Sequence, residues 1–585
     1  MIAIAPRELH TWPRRTRMVN SGLRVHWFVR QMLLMAKKRQ SPDTPPPTPP
    51  PAVSPRRTSR TRRTSVTETP SKADAPVRSR ARRSAPPATQ AAANPDALHI
   101  VLIASEAHPF ATTGGLAEVV GALPGALARL GHRVTLILPR YRGIATEDAG
   151  AREEGSRDLQ GGAELQLGHR RQVVRFVRRS GGDGVTVIFV DAPDLFDREG
   201  LYGNGDGDYA DNAWRFALFS RAALEYLRLR GERPAAIHAH DWQAGLVPAY
   251  QKMLLSNDPV VGGVPAVFTI HNLAFQGLYP AAMLPEIGLP GDVMHVQAME
   301  FWGQISYLKA GINFSERITT VSPAYAKEML TLEMGFGFDG VLARRADDLH
   351  GILNGIDTAR WNPASDPFVG APFTADELSG KAKAKRMLLK KAGLPTSAAA
   401  LRRPVIGMVA RLTDQKGLDL FAAAADELMA LDAAWVLMGN GERRYEDLWK
   451  ELAMSHPGRV SSTLRYDEAL EHLIEAGGDI FLMPSRFEPC GLNQLHSLRY
   501  GTLPVVRATG GLDDTVIDRD APGGGGTGFK FWNYTTEALL EAMQRALQTY
   551  RQPDEWQLMQ RTAMRQDFSW DVSAREYVKV YRAAS

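Results

Sequence analysis

Twice along the chain, short apolar runs alternate with glycine-bearing turns and helical patterns. The first series begins with His99-Ile-Val-Leu-Ile-Ala-Ser105 and the turn Thr112-Thr113-Gly114-Gly115-Leu116. A helix is expected over 116–130, closed by Gly131-His132, and the strand Arg133-Val-Thr-Leu-Ile-Leu-Pro139 follows. Apolar runs without polar alternation are buried on both faces, as parallel strands are. Strand, turn, helix and strand in this order form a βαβ unit of a doubly wound sheet. Further strands are expected at 185–190, 236–240, 266–271 and 318–321. A second series starts after Asn354-Gly355, with strands at 404–410, 434–438, 479–483 and 503–506 and a helix over 418–431. Two such series imply two Rossmann-like domains facing a central cleft. Ligands are then expected at the carboxyl ends of the strands.

Charge divides the chain differently. The 585 residues carry 70 Lys+Arg and 64 Asp+Glu, a net of +6. Residues 1–98 hold 19 basic and 5 acidic residues, a net of +14, whereas the remainder holds 51 and 59, a net of −8. The basic character therefore belongs to the first 98 residues. They also contain 15 of the 38 prolines, and such a segment buries too little apolar surface to offset its ordering entropy. It is read as a disordered extension: a transit peptide, a polyanion-binding arm, or a dispensable segment with an internal start at Met18, Met32 or Met35. The acidic body gives no reason to expect nucleic acid as a partner. No apolar run reaches about 18 residues, so no membrane span is expected. The single cysteine, Cys490, excludes an intrachain disulfide.

Several clusters sit where a cleft residue belongs. Thr112, Thr113, Gly114 and Gly115 lead into a helix N-terminus, which favours phosphate or sugar oxygens, although a plain helix cap fits equally well. His238-Ala-His240-Asp241-Trp242 ends a strand; its two histidines point to one face, but no third cluster completes a metal site. Arg411 and Lys416, five residues apart across a turn, suit a diphosphate leaving group. Glu488 lies between two prolines in Pro484-Ser-Arg-Phe-Glu-Pro-Cys-Gly-Leu492, a constrained position against a sugar hydroxyl or a developing cation. Cys490, without a cysteine partner or a nearby histidine in sequence, reads as a small buried cleft residue. Thr509, Gly510, Gly511 and Leu512 form a second glycine-rich helix start, whose amides suit a distal phosphate.

These motifs, together with His271-Asn-Leu-Ala-Phe-Gln-Gly277 and Leu353-Asn-Gly-Ile-Asp357, occur in an order that resembles the bacterial glycogen synthases and plant starch synthases. The resemblance runs from about residue 99 to 585. It implies an α/β GT-B fold and retaining transfer of glucose from ADP-glucose to the non-reducing 4-OH of an α-1,4-glucan, either glycogen or a maltooligosaccharide. ADP-glucose is then a substrate, and no cofactor or metal is needed, because Arg411 and Lys416 meet the diphosphate. The implied domains are 99–353 on the acceptor side and 354–568 for the nucleotide sugar. A helix within 569–585, near 572–584, returns to the first domain, and the hinge is expected near 353–357. The resemblance further implies that His240 holds the donor sugar, Asp211 lies near sugar or acceptor, and Tyr466 stacks on adenine. His271, Asn272, Gln276, Asn354, Cys490 and Gly491 are expected to line the cleft. Glu488 matches a family glutamate near the donor glucose that is not an established covalent nucleophile, so a front-face route is expected.

One position departs from the family pattern. Thr112 stands where a lysine is usual, and residues 104–128 contain no Lys or Arg. Weaker donor binding or altered nucleotide choice is the expected consequence. A cytoplasmic bacterial enzyme is the leading reading. A plastid starch synthase with the extension as transit peptide, and a glucan-binding regulatory protein with weakened turnover, are the alternatives.

Overall fold

The computed structural model describes residues 96–145, 152–153, 162–204 and 207–585. The expected extension lies, up to residue 95, outside the described residues. In the first α/β series, strand His99–Ile103 pairs in parallel with Arg133–Pro139 on one side and Ala236–His240 on the other. Beyond Arg133–Pro139 come parallel Thr186–Asp191 and antiparallel Arg170–Ser180. Beyond Ala236–His240 come Ala266–Ile270, Arg317–Thr320 and Leu349–Gly351, all parallel. The strand order therefore reverses between His99–Ile103 and Ala236–His240, which opens a crevice at their carboxyl ends.

The second sheet has six parallel strands. Val405–Val409 lies between Ala434–Met438 and Ile480–Met483. Val460–Thr463 extends one side, and Leu503–Arg507 and Phe529–Phe531 extend the other. Its order reverses between Val405–Val409 and Ile480–Met483. The segments leaving these two strands carry Arg411 and Lys416, and Ser485 and Glu488. The expected helix over 418–431 is two helices, Leu418–Ala423 and Ala425–Ala430. They separate at Ala424, whose N–H is shared between the carbonyls of Leu420 and Phe421 at 3.2 and 3.1 Å. Sharing with the nearer carbonyl tightens the turn and ends the regular ladder.

Two chain segments join the series side by side. The Ile356 N–H donates to the Phe568 carbonyl at 2.8 Å, and Ser573 Oγ donates to the Leu353 carbonyl at 2.6 Å. Gly355 makes this approach possible, since a Cβ there would lie 2.6 Å from the Trp570 nitrogen. The last helix, Trp570–Ala584, buries Trp570, Ala574, Tyr577, Val578 and Tyr581 in the first core. Their three- and four-residue spacing marks one helix face. Arg129 donates to Asp571 at 3.0 Å, tying this helix to Gly115–Arg129. No helix among the described residues is long and apolar enough to cross a membrane.

Candidate active site

The two segments at the second reversal point meet through an ion pair and through a backbone hydrogen bond, from the Arg486 N–H to the Gln415 carbonyl at 2.9 Å. Lys416 Nζ lies 2.6 Å from Glu488 Oε2, and Ser485 Oγ donates to the same oxygen at 3.0 Å. Glu488 is only 5% exposed, so its charge depends on these partners. Gly417, at φ +77, lets the Lys416 turn press on the next segment; a Cβ there would sit 2.0 Å from the Pro484 carbonyl. Arg411 is exposed immediately after Val405–Val409.

The glycine-rich start at Thr509 packs closely against the segment that carries Glu488. A Cβ on Gly510 or Gly511 would collide with the carbonyls of Glu488 or Cys490, at 2.0 and 2.1 Å. These glycines thus permit a close approach of backbone to backbone. Their amides are also engaged. The Gly511 N–H donates to the carbonyls of Glu488 and Pro489. The Gly510 N–H and Thr509 Oγ1 both donate to Glu328 Oε1, at 2.9 and 3.0 Å. Glu328 ends helix Pro323–Glu328 of the first series. Burial raises its pKa above the usual carboxylate value, against the hydrogen bonds it accepts. Leu512 packs in the core beneath.

At the first reversal point Gly114 and Gly115 leave space: a Cβ on either would meet nothing within 4 Å. The preceding residue is anchored by Glu106, which accepts from the Thr113 N–H at 2.6 Å and from Thr113 Oγ1 at 2.7 Å. Tyr202 also donates its hydroxyl to Glu106. Thr112 is exposed beside this anchor.

Three buried histidines lie on two neighbouring strands of the first sheet, His238 and His240 on Ala236–His240 and His271 just past Ala266–Ile270. His238 and His240 alternate along one strand, so their rings share a face, 4.1 Å between centroids. His240 Nδ1 lies 3.0 Å from His271 Nε2, and His238 Nδ1 lies 2.9 Å from the Tyr581 hydroxyl. Burial drives the pKa of His238 and of His271 down to about 3, and that of His240 well below its usual value. All three rings are therefore neutral at pH 7. Among the described residues His240 Nε2 is buried and has no partner, so it is a polar atom available to a ligand. Asp241 lies inside the short helix Asp241–Ala244 rather than capping it. It accepts from the His271 N–H at 2.8 Å, and burial lifts its pKa to about 7.

The remaining expected residues differ in how far their polar groups are already engaged. Gln276 donates Nε2 to the Phe336 carbonyl at 3.0 Å, while its Oε1 and Asn354 Oδ1 are buried without partners among the described residues. Both residues thus keep a buried oxygen with open hydrogen-bonding capacity. Cys490 touches Asn354, and burial lifts its thiol to about 12, which rules out a thiolate nucleophile at neutral pH. Gly491 adopts φ +72 beside it, and Asn272 uses its Oδ1 on the Ala274 N–H. Tyr466 is 64% exposed, with its hydroxyl on Glu471. Asp211 is already engaged: Arg198 forks onto both of its oxygens at 2.8 and 2.7 Å. Although burial acts to raise the Asp211 pKa, that fork holds it below the usual value. Sequence reasoning missed Glu106, Arg198 and Glu328. Each bonds a residue distant in sequence or on another loop, and none sits in a recognisable motif of its own.

Comparison with known proteins places this geometry. Residues 99–344 match the family model described as starch synthase catalytic domain, and residues 395–561 match glycosyl transferases group 1. The chain is 45% identical to a glycogen synthase of Koribacter versatilis, covering 83% of this chain and 98% of that protein. It is 48% identical to a glycogen synthase of Anaeromyxobacter dehalogenans, covering 83% and 99%. Among solved structures, the catalytic domain of starch synthase IV from Arabidopsis thaliana, bound to ADP and acarbose, is similar with a TM-score of 0.76 and 35% identity. That match covers 83% of this chain and 99% of the other. A sucrose-phosphate synthase from Thermosynechococcus elongatus, at 18% identity and a TM-score of 0.53, shares the fold.

Proposed function

Because the chain belongs to the glycogen synthase family of glycosyltransferases, we propose that it transfers glucose from ADP-glucose to the non-reducing 4-OH of an α-1,4-glucan with retention. The observation that carries this reading is the Lys416–Glu488 pair, which fixes a cation at the reversal point of the second sheet. The similar Arabidopsis starch synthase IV domain is bound to ADP and acarbose, which supports a nucleotide donor and a glucan acceptor.

In the proposed reaction the C1–O bond to the distal phosphate breaks and a C1–O4 bond to the acceptor forms on the same face. The acceptor proton passes to a departing phosphate oxygen. Lys416 and Arg411 stabilise the charge that develops on that phosphate. Glu488 and Ser485 hold Lys416 in place. His240, neutral and with Nε2 open, bonds a hydroxyl of the donor sugar, and Gln276 and Asn354 offer further polar atoms. Tyr466 stacks on the adenine. Cys490 is too hard to ionise to serve as nucleophile, which favours the front-face route over a cysteinyl intermediate.

Transfer of radiolabelled glucose to glycogen from ADP-glucose, with UDP-glucose in parallel, tests the reading. Incorporation from ADP-glucose with a higher kcat/KM than from UDP-glucose is expected. Incorporation from UDP-glucose alone would overturn the donor assignment.

A further inference from the structure

A hairpin beside the cleft presents an aromatic ring in a backbone position that suits it poorly. Strands Glu300–Phe301 and Gln304–Ser306 turn on Trp302 and Gly303, whose φ values are +52 and +79. Two consecutive left-handed residues make the tight turn that matches strand twist, and Asn-Gly is its preferred sequence. A tryptophan Cβ in the first position crowds the neighbouring carbonyl. Packing does not compensate: Trp302 is 83% exposed, whereas Phe301 is buried and stacks on Phe338 at 4.4 Å. Strain without burial points to a role outside the fold.

The ring's surroundings connect it to the active site. A Cβ on Gly337 would lie 3.6 Å from Trp302 Nε1. The adjoining Phe336 receives Gln276 Nε2 on its carbonyl and meets the Phe487 ring edge-on at 5.3 Å. Phe487 precedes Glu488. Residues 336–338 span at most about 10 Å of chain, so the indole stands one short segment from the donor side of the cleft.

We propose that Trp302 is a platform for the acceptor glucan away from its reacting end, with the indole face stacked on the apolar face of a glucose ring. This rests on the glucan-acceptor reading above. A glucan whose reacting end lies near Glu488 must leave the protein over the rim of the cleft. A rigid indole there offers large amphipathic contact area at low entropy loss. Its Nε1–H also suits a neutral, hydroxyl-rich ligand.

Trp302→Asn separates binding from folding, because asparagine fits the turn better than tryptophan does. Without donor present, electrophoresis through glycogen-containing gels is expected to show at least a five-fold rise in the dissociation constant for glycogen. KM for glycogen should rise in parallel, while kcat, KM for the nucleotide sugar and KM for maltotriose stay within two-fold of the parent. Trp302→Tyr should restore most of the affinity, and the melting temperature of Trp302→Asn should equal or exceed that of the parent. Unchanged glycogen affinity overturns the proposal, and so does an equal loss for maltotriose. A change of sedimentation state with glycogen affinity intact would make the surface a contact between copies and overturn it too. A parent protein that fails to bind glycogen would overturn the acceptor reading, and the platform with it.

Discussion

Lys416 Nζ and Glu488 Oε2 lie 2.6 Å apart, joining the two segments that leave the strands at the reversal point of the second sheet. Lys416 is thus shared between a buried carboxylate and the place proposed for the donor diphosphate. Lys416→Ala removes the cation and leaves the Glu488 charge with only Ser485 for support. Turnover is expected to fall roughly a hundred- to a thousand-fold, about 3–4 kcal/mol of transition-state stabilisation. Glu488→Gln in the same chain removes the stranded charge, so the double variant should lose less than the product of the single losses. Steady-state transfer assays on the four proteins measure this coupling.

Thr112 is exposed, and the loop beside it is held by Glu106 through Thr113. The open space around Gly114 and Gly115 leaves room for a longer side chain nearby. Thr112→Lys is therefore expected to fold normally and to add a cation facing the cleft. If the donor diphosphate lies there, kcat/KM for ADP-glucose should rise roughly ten-fold, about 1.4 kcal/mol. An unchanged kcat/KM would show that Arg411 and Lys416 already suffice.

Sequence pattern read the central strands well, because a strand buried on both faces leaves an unbroken apolar run. Ala236–His240 and Ala434–Met438 appear with the expected limits. It also brought Lys416 and Glu488 into one site, since both follow strands of a single sheet. What it missed depends on tertiary distance. Gly510 and Gly511 read as a phosphate cradle, and nothing in that pattern shows that each also admits a close backbone carbonyl. Only the positions of the Glu488 and Cys490 carbonyls reveal it. Likewise nothing local to Asp211 reveals that Arg198 occupies it, nor that Tyr581 reaches back across 343 residues to His238.

The three neutral histidines make stability depend on pH. Unfolded histidine titrates near 6.5, whereas His238 and His271 titrate at about 3 in the folded chain and His240 is also depressed. Between about pH 3 and 6.5 the unfolded chain binds more protons at these sites, so stability rises with pH there. The contribution is fully present above about 6.5 and is lost on acidification, by up to about 2 kcal/mol per ring between roughly pH 6.5 and 5. Asp241 acts oppositely. Its pKa is raised to about 7, so its contribution falls as pH rises from the unfolded value near about 4 through about 7. Three rings outweigh one carboxyl, and urea midpoints should fall between about pH 7 and about pH 5. His238→Gln should flatten that slope, and Asp241→Asn should steepen it.

Glu328 offers the sharpest test of how the donor sits. Its carboxylate accepts from the Gly510 N–H and Thr509 Oγ1, the donors expected for the distal phosphate. Its second oxygen is buried without a partner among the described residues, and burial already disfavours its charge. A phosphate reaching those donors must displace this carboxylate or repel it at close range. Glu328→Gln keeps an acceptor of the same shape but removes the charge, so displacement becomes easier. ADP should then bind roughly three- to ten-fold more tightly, about 0.7–1.4 kcal/mol, as titration calorimetry would measure. Unchanged affinity would mean that the phosphate is held without these two donors, by Arg411 and Lys416 instead. The Glu328 contact would in that case serve only to tie helix Pro323–Glu328 to the loop at Thr509, and its loss would appear in the melting temperature rather than in ADP binding.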